Sequence, residues 1–183
     1  MTTFSKPGFI ALELFKQVFD QMIDTEQEML AFLDRNGFAY QHIAHPAVFT
    51  CAEAALHRPQ TPAVSTKNLF LSDKKGRRFF LVVTACEKQV DLERLGAQIG
   101  YPRLRFGSES RLQTLLGVTR GSVTMLGLVN DLERQVELWL DAEIWAGEHF
   151  LCHPLVNTAT LVLARKSLER FFALTGHPIH LFG

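Results

Sequence analysis

Between Ser65 and Thr84 the chain reads S-T-K-N-L-F-L-S-D-K-K-G-R-R-F-F-L-V-V-T. Two apolar runs, Ser65–Leu71 and Arg78–Thr84, flank the polar turn Asp73-Lys74-Lys75-Gly76. Each run is too short for an ordinary helix and is rich in residues that favour strands, so the segment predicts a β-hairpin. A hairpin has a face to bury, and the remaining chain must cover it. Further strands are expected at Phe38–Ile43, Val123–Leu128, Val136–Leu140, Glu148–Cys152 and Thr160–Leu163.

Helical signals are interspersed among these strands. Thr25 and Glu28 form a T-x-x-E capping box ahead of Met29, Phe32 and Leu33, and Gly37 follows Asn36 as a stop. Thr50 and Glu53 repeat the pattern before Cys51–Leu56. Asp91–Ile99 and Ser108–Leu116 read as helices, and Lys166–Thr175 closes the chain with Leu168, Phe171, Phe172 and Leu174 apolar and Gly176 as its stop. His45-Pro46 makes a bend, because the residue before proline is pushed towards an extended shape. Pro59 and Pro62 keep the loop at 57–62 out of helix and sheet. The order is not strictly alternating. It predicts a single α/β (α+β) domain with a mixed, largely antiparallel, curled sheet covered by helices. Residues 1–24 form an N-terminal extension, and residues 25–183 form the domain. Within the extension, Ile10–Met22 has apolar residues at helical spacing, as an outer packed helix or a partner-binding element.

At 183 residues with 47% hydrophobic composition, the chain can build a core without staples. Fifteen Phe against two Tyr and two Trp place most aromatic rings inside. Lysine plus arginine number 19 and aspartate plus glutamate 19, so the net charge is zero. That argues against coating long nucleic acid but allows a grip on one or two phosphates. Cys51, Cys86 and Cys152 are odd in number and lack CxxC spacing, which points to neither a disulfide framework nor a zinc knuckle. The start carries no apolar run of signal-peptide type, and no stretch approaches the roughly 20 apolar residues of a membrane span. A cytoplasmic location is expected.

Three segments could carry chemistry. Lys67 shares a strand face with Ser65, Leu69 and Leu71, at the edge of an apolar face. On spacing alone it reads as a snorkelling surface lysine. Gly117, Gly121 and Gly127 surround a β-like run, where backbone could approach a ligand or simply turn. His153-Pro154-Leu155-Val156-Asn157-Thr158 could line a pocket or form a locally bonded turn. A metal is not expected: on a strand, His149 and His153 would lie roughly 13 Å apart. Cys86 has no evident base beside it.

Taken in order, His45–Thr50, Lys67–Leu71, Asp91-Leu92, the glycine-rich stretch and His153–Thr160 resemble the YbaK/prolyl-tRNA synthetase-associated editing domain family, and its freestanding ProX type above all. The resemblance covers roughly residues 25–180. It implies a trans-editing deacylase that hydrolyses the ester of mischarged tRNA(Pro), chiefly Ala-tRNA(Pro) or another small amino acid, without metal or cofactor. Its functional lysine and histidine fall on Lys67 and His153. Its G-x-x-x-P motif falls on Gly121-Ser122-Val123-Thr124-Met125, with Met125 in place of the proline. Lys67, Gly121 and His153 are therefore the expected catalytic positions. Thr50, Asn68, Ser122, Met125, Asn157 and Thr158 are expected to bind substrate, with Met125 resizing the pocket. The implied partners are the acceptor end of a mischarged tRNA and prolyl-tRNA synthetase. Lys74, Lys75, Arg77 and Arg78 either assist locally or form a solvated hairpin tip. The rival reading is a non-catalytic module of the same fold that binds tRNA ends or a synthetase, motivated by Met125 and the Ile10–Met22 segment.

Overall fold

The computed structural model describes residues 22–183, so the expected Ile10–Met22 helix, Met22 apart, lies outside the described residues. Helix α1 (Glu26–Arg35) begins at the complete Thr25/Glu28 capping box and buries Met29, Phe32 and Leu33. Strand β1 (Tyr40–Ala44) follows, then the short helix α2 (Cys51–Ala55), whose N-cap Thr50 accepts from the Glu53 amide. The hairpin forms as expected, β2 (Thr66–Ser72) pairing antiparallel with β3 (Phe79–Ala85). Helix α3 (Leu92–Gln98), strand β4 (Arg105–Phe106) and helix α4 (Glu109–Leu116) come next. After a 3-10 helix (Met125–Asn130) come β5 (Val136–Asp141), α5 (Ala142–Trp145), β6 (His149–Cys152), β7 (Ala159–Ala164), α6 (Arg165–Thr175) and β8 (Ile179–Phe182).

The strands form two sheets. One has the order β1-β7-β6 and is wholly antiparallel. The other has the order β4-β2-β3-β5-β8, antiparallel on the β4 side and parallel at the β3–β5 and β5–β8 steps. A parallel bridge between Val64 and Phe150 links them. The mixed, mainly antiparallel architecture stands, divided over two sheets.

Strand β3 shows why the five-stranded sheet is buried on both faces. Phe79, Leu81 and Val83 point into the main core, while Phe80 and Val82 alternate into a second cluster with Leu95 and Ile99 of the α3 segment. The main core also takes Phe32 of α1 and Phe171 of α6, whose rings meet edge to face at 6.0 Å. On α6 the apolar Leu174 is exposed, whereas Thr175 is buried. Among the described residues, no helix is long and apolar enough to cross a membrane.

One element is corrected. Val123–Leu128 is not a strand. Thr124 caps the 3-10 helix by accepting from the Leu126 amide, and five consecutive residues, Met125–Val129, are buried. Gly127 allows the close approach: a Cβ there would lie 3.1 Å from both Leu116 Cβ and the Leu116 carbonyl oxygen. An all-round buried segment has no amphipathic period to read.

Candidate active site

A cleft of about 180 Å³ opens where the two sheets meet. Strand β2 contributes Thr66, Lys67 and Asn68, the segment leading into α2 contributes Val48, Phe49 and Thr50, and Gly121 and His153 complete the wall. Three expected catalytic positions and two of the expected substrate contacts, Thr50 and Asn68, thus converge from distant parts of the chain.

Among the described residues, Lys67 is the only charged side chain lining the cleft, and no carboxylate lines it. Among the described residues its ammonium has no ion-pair partner. A lone cation in a partly apolar recess favours an anion brought by a ligand. Beside it, the Asn68 side-chain oxygen is buried without a hydrogen-bond partner among the described residues, so a bound donor could satisfy it.

Gly121 has φ +89°, a backbone shape that side chains resist. A Cβ there would come within 3.3 Å of the Phe49 ring. Phe49 itself is 72% exposed at the cleft mouth. Asn157 supports the same wall from behind: its Nδ2 donates to the Val48 carbonyl at 3.0 Å, and the Val48 amide donates to the Asn157 carbonyl at 3.0 Å.

His153 donates from Nδ1 to the Ala159 carbonyl at 2.9 Å, which leaves Nε2 as the ring's acceptor. Burial holds its pKa below the ordinary histidine value, against the Ala159 hydrogen bond, and neighbouring His45 adds to the depression. His45 meets His153 edge to face at 6.3 Å, stacks on His57 at 5.1 Å, and places Nε2 2.9 Å from Thr160 Oγ1. Because the folded state prefers neutral His153, its contribution to stability is complete above the unfolded pKa near 6.5 and fades as pH falls below it. The expected result is a steeper loss of stability between about pH 7 and about pH 5 for wild type than for His153→Gln. Urea unfolding across that range measures it, and equal slopes would refute this account.

The other expected contacts fall elsewhere. Met125 is 1% exposed and does not line the cleft, and Thr158 is exposed with its carbonyl accepting from the His45 amide. Ser122 is buried behind Gly121. Met125 is the first residue of the 3-10 helix, after the Thr124 cap. Proline is well suited to that position, so a methionine there alters a helix start and leaves the cleft wall to other residues. Cys51 and Cys86 form a disulfide that the cysteine spacing does not signal, with a Cα–Cα distance of 5.9 Å and both cysteines on the cleft. The expectation of no disulfide is overturned, because only the fold brings α2 beside the end of β3. Cys152 stays free, buried, with its thiol pushed up to about 12 by that burial. Among the described residues, no group of three His, Cys, Asp or Glu side chains could hold a metal ion.

Residues 45–171 match the model of the aminoacyl-tRNA editing domain. The chain belongs to the aminoacyl-tRNA editing domain family. Among relatives of this family, prolyl-tRNA synthetase associated domain-containing protein 1 of Danio rerio is 40% identical over 157 residues, 85% of each chain. The prolyl-tRNA editing protein ProX of Acetoanaerobium sticklandii is 36% identical over 155 residues, 85% of this chain and 94% of that one. The fold is shared with a crystal structure described as a candidate trans-editing enzyme for prolyl-tRNA synthetase, at TM-score 0.62 and 19% identity, covering 86% of this chain and 96% of the other. The cleft lies inside the matched editing domain.

Proposed function

We propose that this protein is a trans-editing deacylase that hydrolyses the ester of mischarged tRNA(Pro), with alanine or another small residue as the acyl group. The observation that supports the reading is Lys67 in a cleft where the described residues offer it no carboxylate, within a family whose relatives include a prolyl-tRNA editing protein. Lys67 binds a phosphate of the tRNA's 3′ end as a point charge and sets the ester in register. The cleft volume of about 180 Å³ suits a small acyl group.

An aminoacyl ester is already activated, so hydrolysis needs a placed water and stabilisation of the developing oxyanion. Backbone at Gly121 approaches the ester because no Cβ intervenes. A ribose hydroxyl of the tRNA helps place the water. Neutral His153 shapes the acyl end and offers Nε2 as an acceptor, and Asn68 supplies a polar contact. No metal or cofactor enters the scheme. The chemistry follows a second sieve: a synthetase site built for proline rejects a smaller residue weakly, so a separate site destroys the product. Prolyl-tRNA synthetase is the implied partner, in the cytoplasm.

A panel of mischarged tRNAs tests the reading. Release of alanine from Ala-tRNA(Pro), or of another small residue, above the spontaneous rate is the expected result. Binding of tRNA or synthetase without turnover on any member would instead support the non-catalytic module. Gly121→Ala is expected to slow release by roughly 10-fold or more, because a 1 Å displacement at a reacting centre can be that costly. A variant at wild-type rate would remove Gly121 from the scheme.

A further inference from the structure

We propose that the Cys51–Cys86 bridge is a redox-switched wall of the cleft: oxidised, it holds α2 against the acyl-binding end; reduced, it releases α2 and loosens the site. The inference rests on the deacylase reading for its effect on rate, but not for its effect on structure.

Helix α2 has five residues and no buried side chain. A helix so short has no stability of its own and takes its place from tertiary ties. Its Thr50 cap and the Phe49 amide–Glu53 carboxylate bond at 2.7 Å are internal to the segment. The ties outward are the Val48–Asn157 pair upstream of the helix, the His57–His45 stack and the Arg58–Glu87 ion pair downstream of it, and, on the helix itself, the disulfide, which spans 35 positions of sequence to the end of β3. Both cysteines line the cleft together with Lys67, and Ala54 follows on the same helix. Opening the bridge therefore loosens one wall, while the Lys67 strand keeps its pairing with β3.

Chemistry allows the switch. Both cysteines are part-exposed, so a dithiol reductant can reach the bridge from the cleft. One thiolate of the reductant attacks a bridge sulfur, the Sγ–Sγ bond breaks, and a mixed disulfide forms. The second thiolate resolves it, so the reductant leaves as its own disulfide. Cys51 and Cys86 end as thiols after taking two electrons and two protons. In reducing compartments, bridges that do form are commonly transient or redox-sensing. Buried Cys152 takes no part.

The test uses the full chain, equilibrated with oxidised or reduced dithiothreitol. In denaturant, the oxidised sample is expected to show one titratable thiol and the reduced sample three. Amide hydrogen exchange in residues 48–56 is expected to quicken by about tenfold or more on reduction, the mark of a locally released segment. Deacylation kcat/KM is expected to fall by about tenfold and to recover on reoxidation. Cys51→Ser and Cys86→Ser should each show the reduced behaviour whatever the reagent. Three thiols in the oxidised sample, or equal exchange in both states, would overturn the switch. Unequal exchange with no deacylation in either state would uphold it and sink the deacylase reading instead.

Discussion

Lys67→Ala is expected to lower deacylation by roughly 100-fold or more, the scale set by losing a positioned charge at a reaction centre. Stability should stay within about 0.5 kcal/mol of wild type, because among the described residues no buried group loses a partner when this side chain is removed. That combination separates a substrate-binding lysine from a structural one. Lys67→Arg should recover part of the rate: it keeps the charge but presents a planar fork where a compact ammonium stood. Single-turnover hydrolysis with enzyme in excess, paired with urea midpoints, measures both quantities. Wild-type turnover by the alanine variant would remove the phosphate grip from the mechanism.

Asp131→Ala is expected to produce the largest loss of stability, about 3 kcal/mol, as buried donors lose a charged acceptor. Asp131 is 3% exposed at the end of the 3-10 helix. Its carboxylate accepts from the Gln135 amide at 3.0 Å, from the Val136 amide at 2.7 Å and from His177 Nε2 at 3.2 Å. It therefore fixes the entry to β5 and the exit from α6 together. A thermal midpoint lower by roughly 6–12 °C follows for a domain of this size. Calorimetry reads it directly, and a shift of under about 2 °C would show that the network relaxes around the lost group.

Where a signal is local, the sequence was sufficient. Thr25 and Glu28 announced α1, the D-K-K-G turn announced the hairpin, and Phe171 with Phe172 announced the buried face of α6. Val123–Leu128 reads as a strand because burial of Met125–Val129 on every side erases the period that distinguishes helix from strand. Short β4 and β8, and the single turn of α5, offer too few residues for any pattern. At the site, Lys67 on spacing alone looked like a surface residue, and only a family resemblance joined it to Gly121 and His153. The Cys51–Cys86 pairing had no readable signal, since α2 and the end of β3 meet only after the sheets have formed.

The Val64–Phe150 bridge joins a sheet that carries Lys67 to one whose β6 strand leads into His153. Neither sheet holds the site alone. A chain newly released from the ribosome can therefore complete its hairpin, its caps and much of its helix content and still be inert. On the proposed deacylase function, the onset of ester cleavage during refolding is therefore expected to follow the closure of that seam.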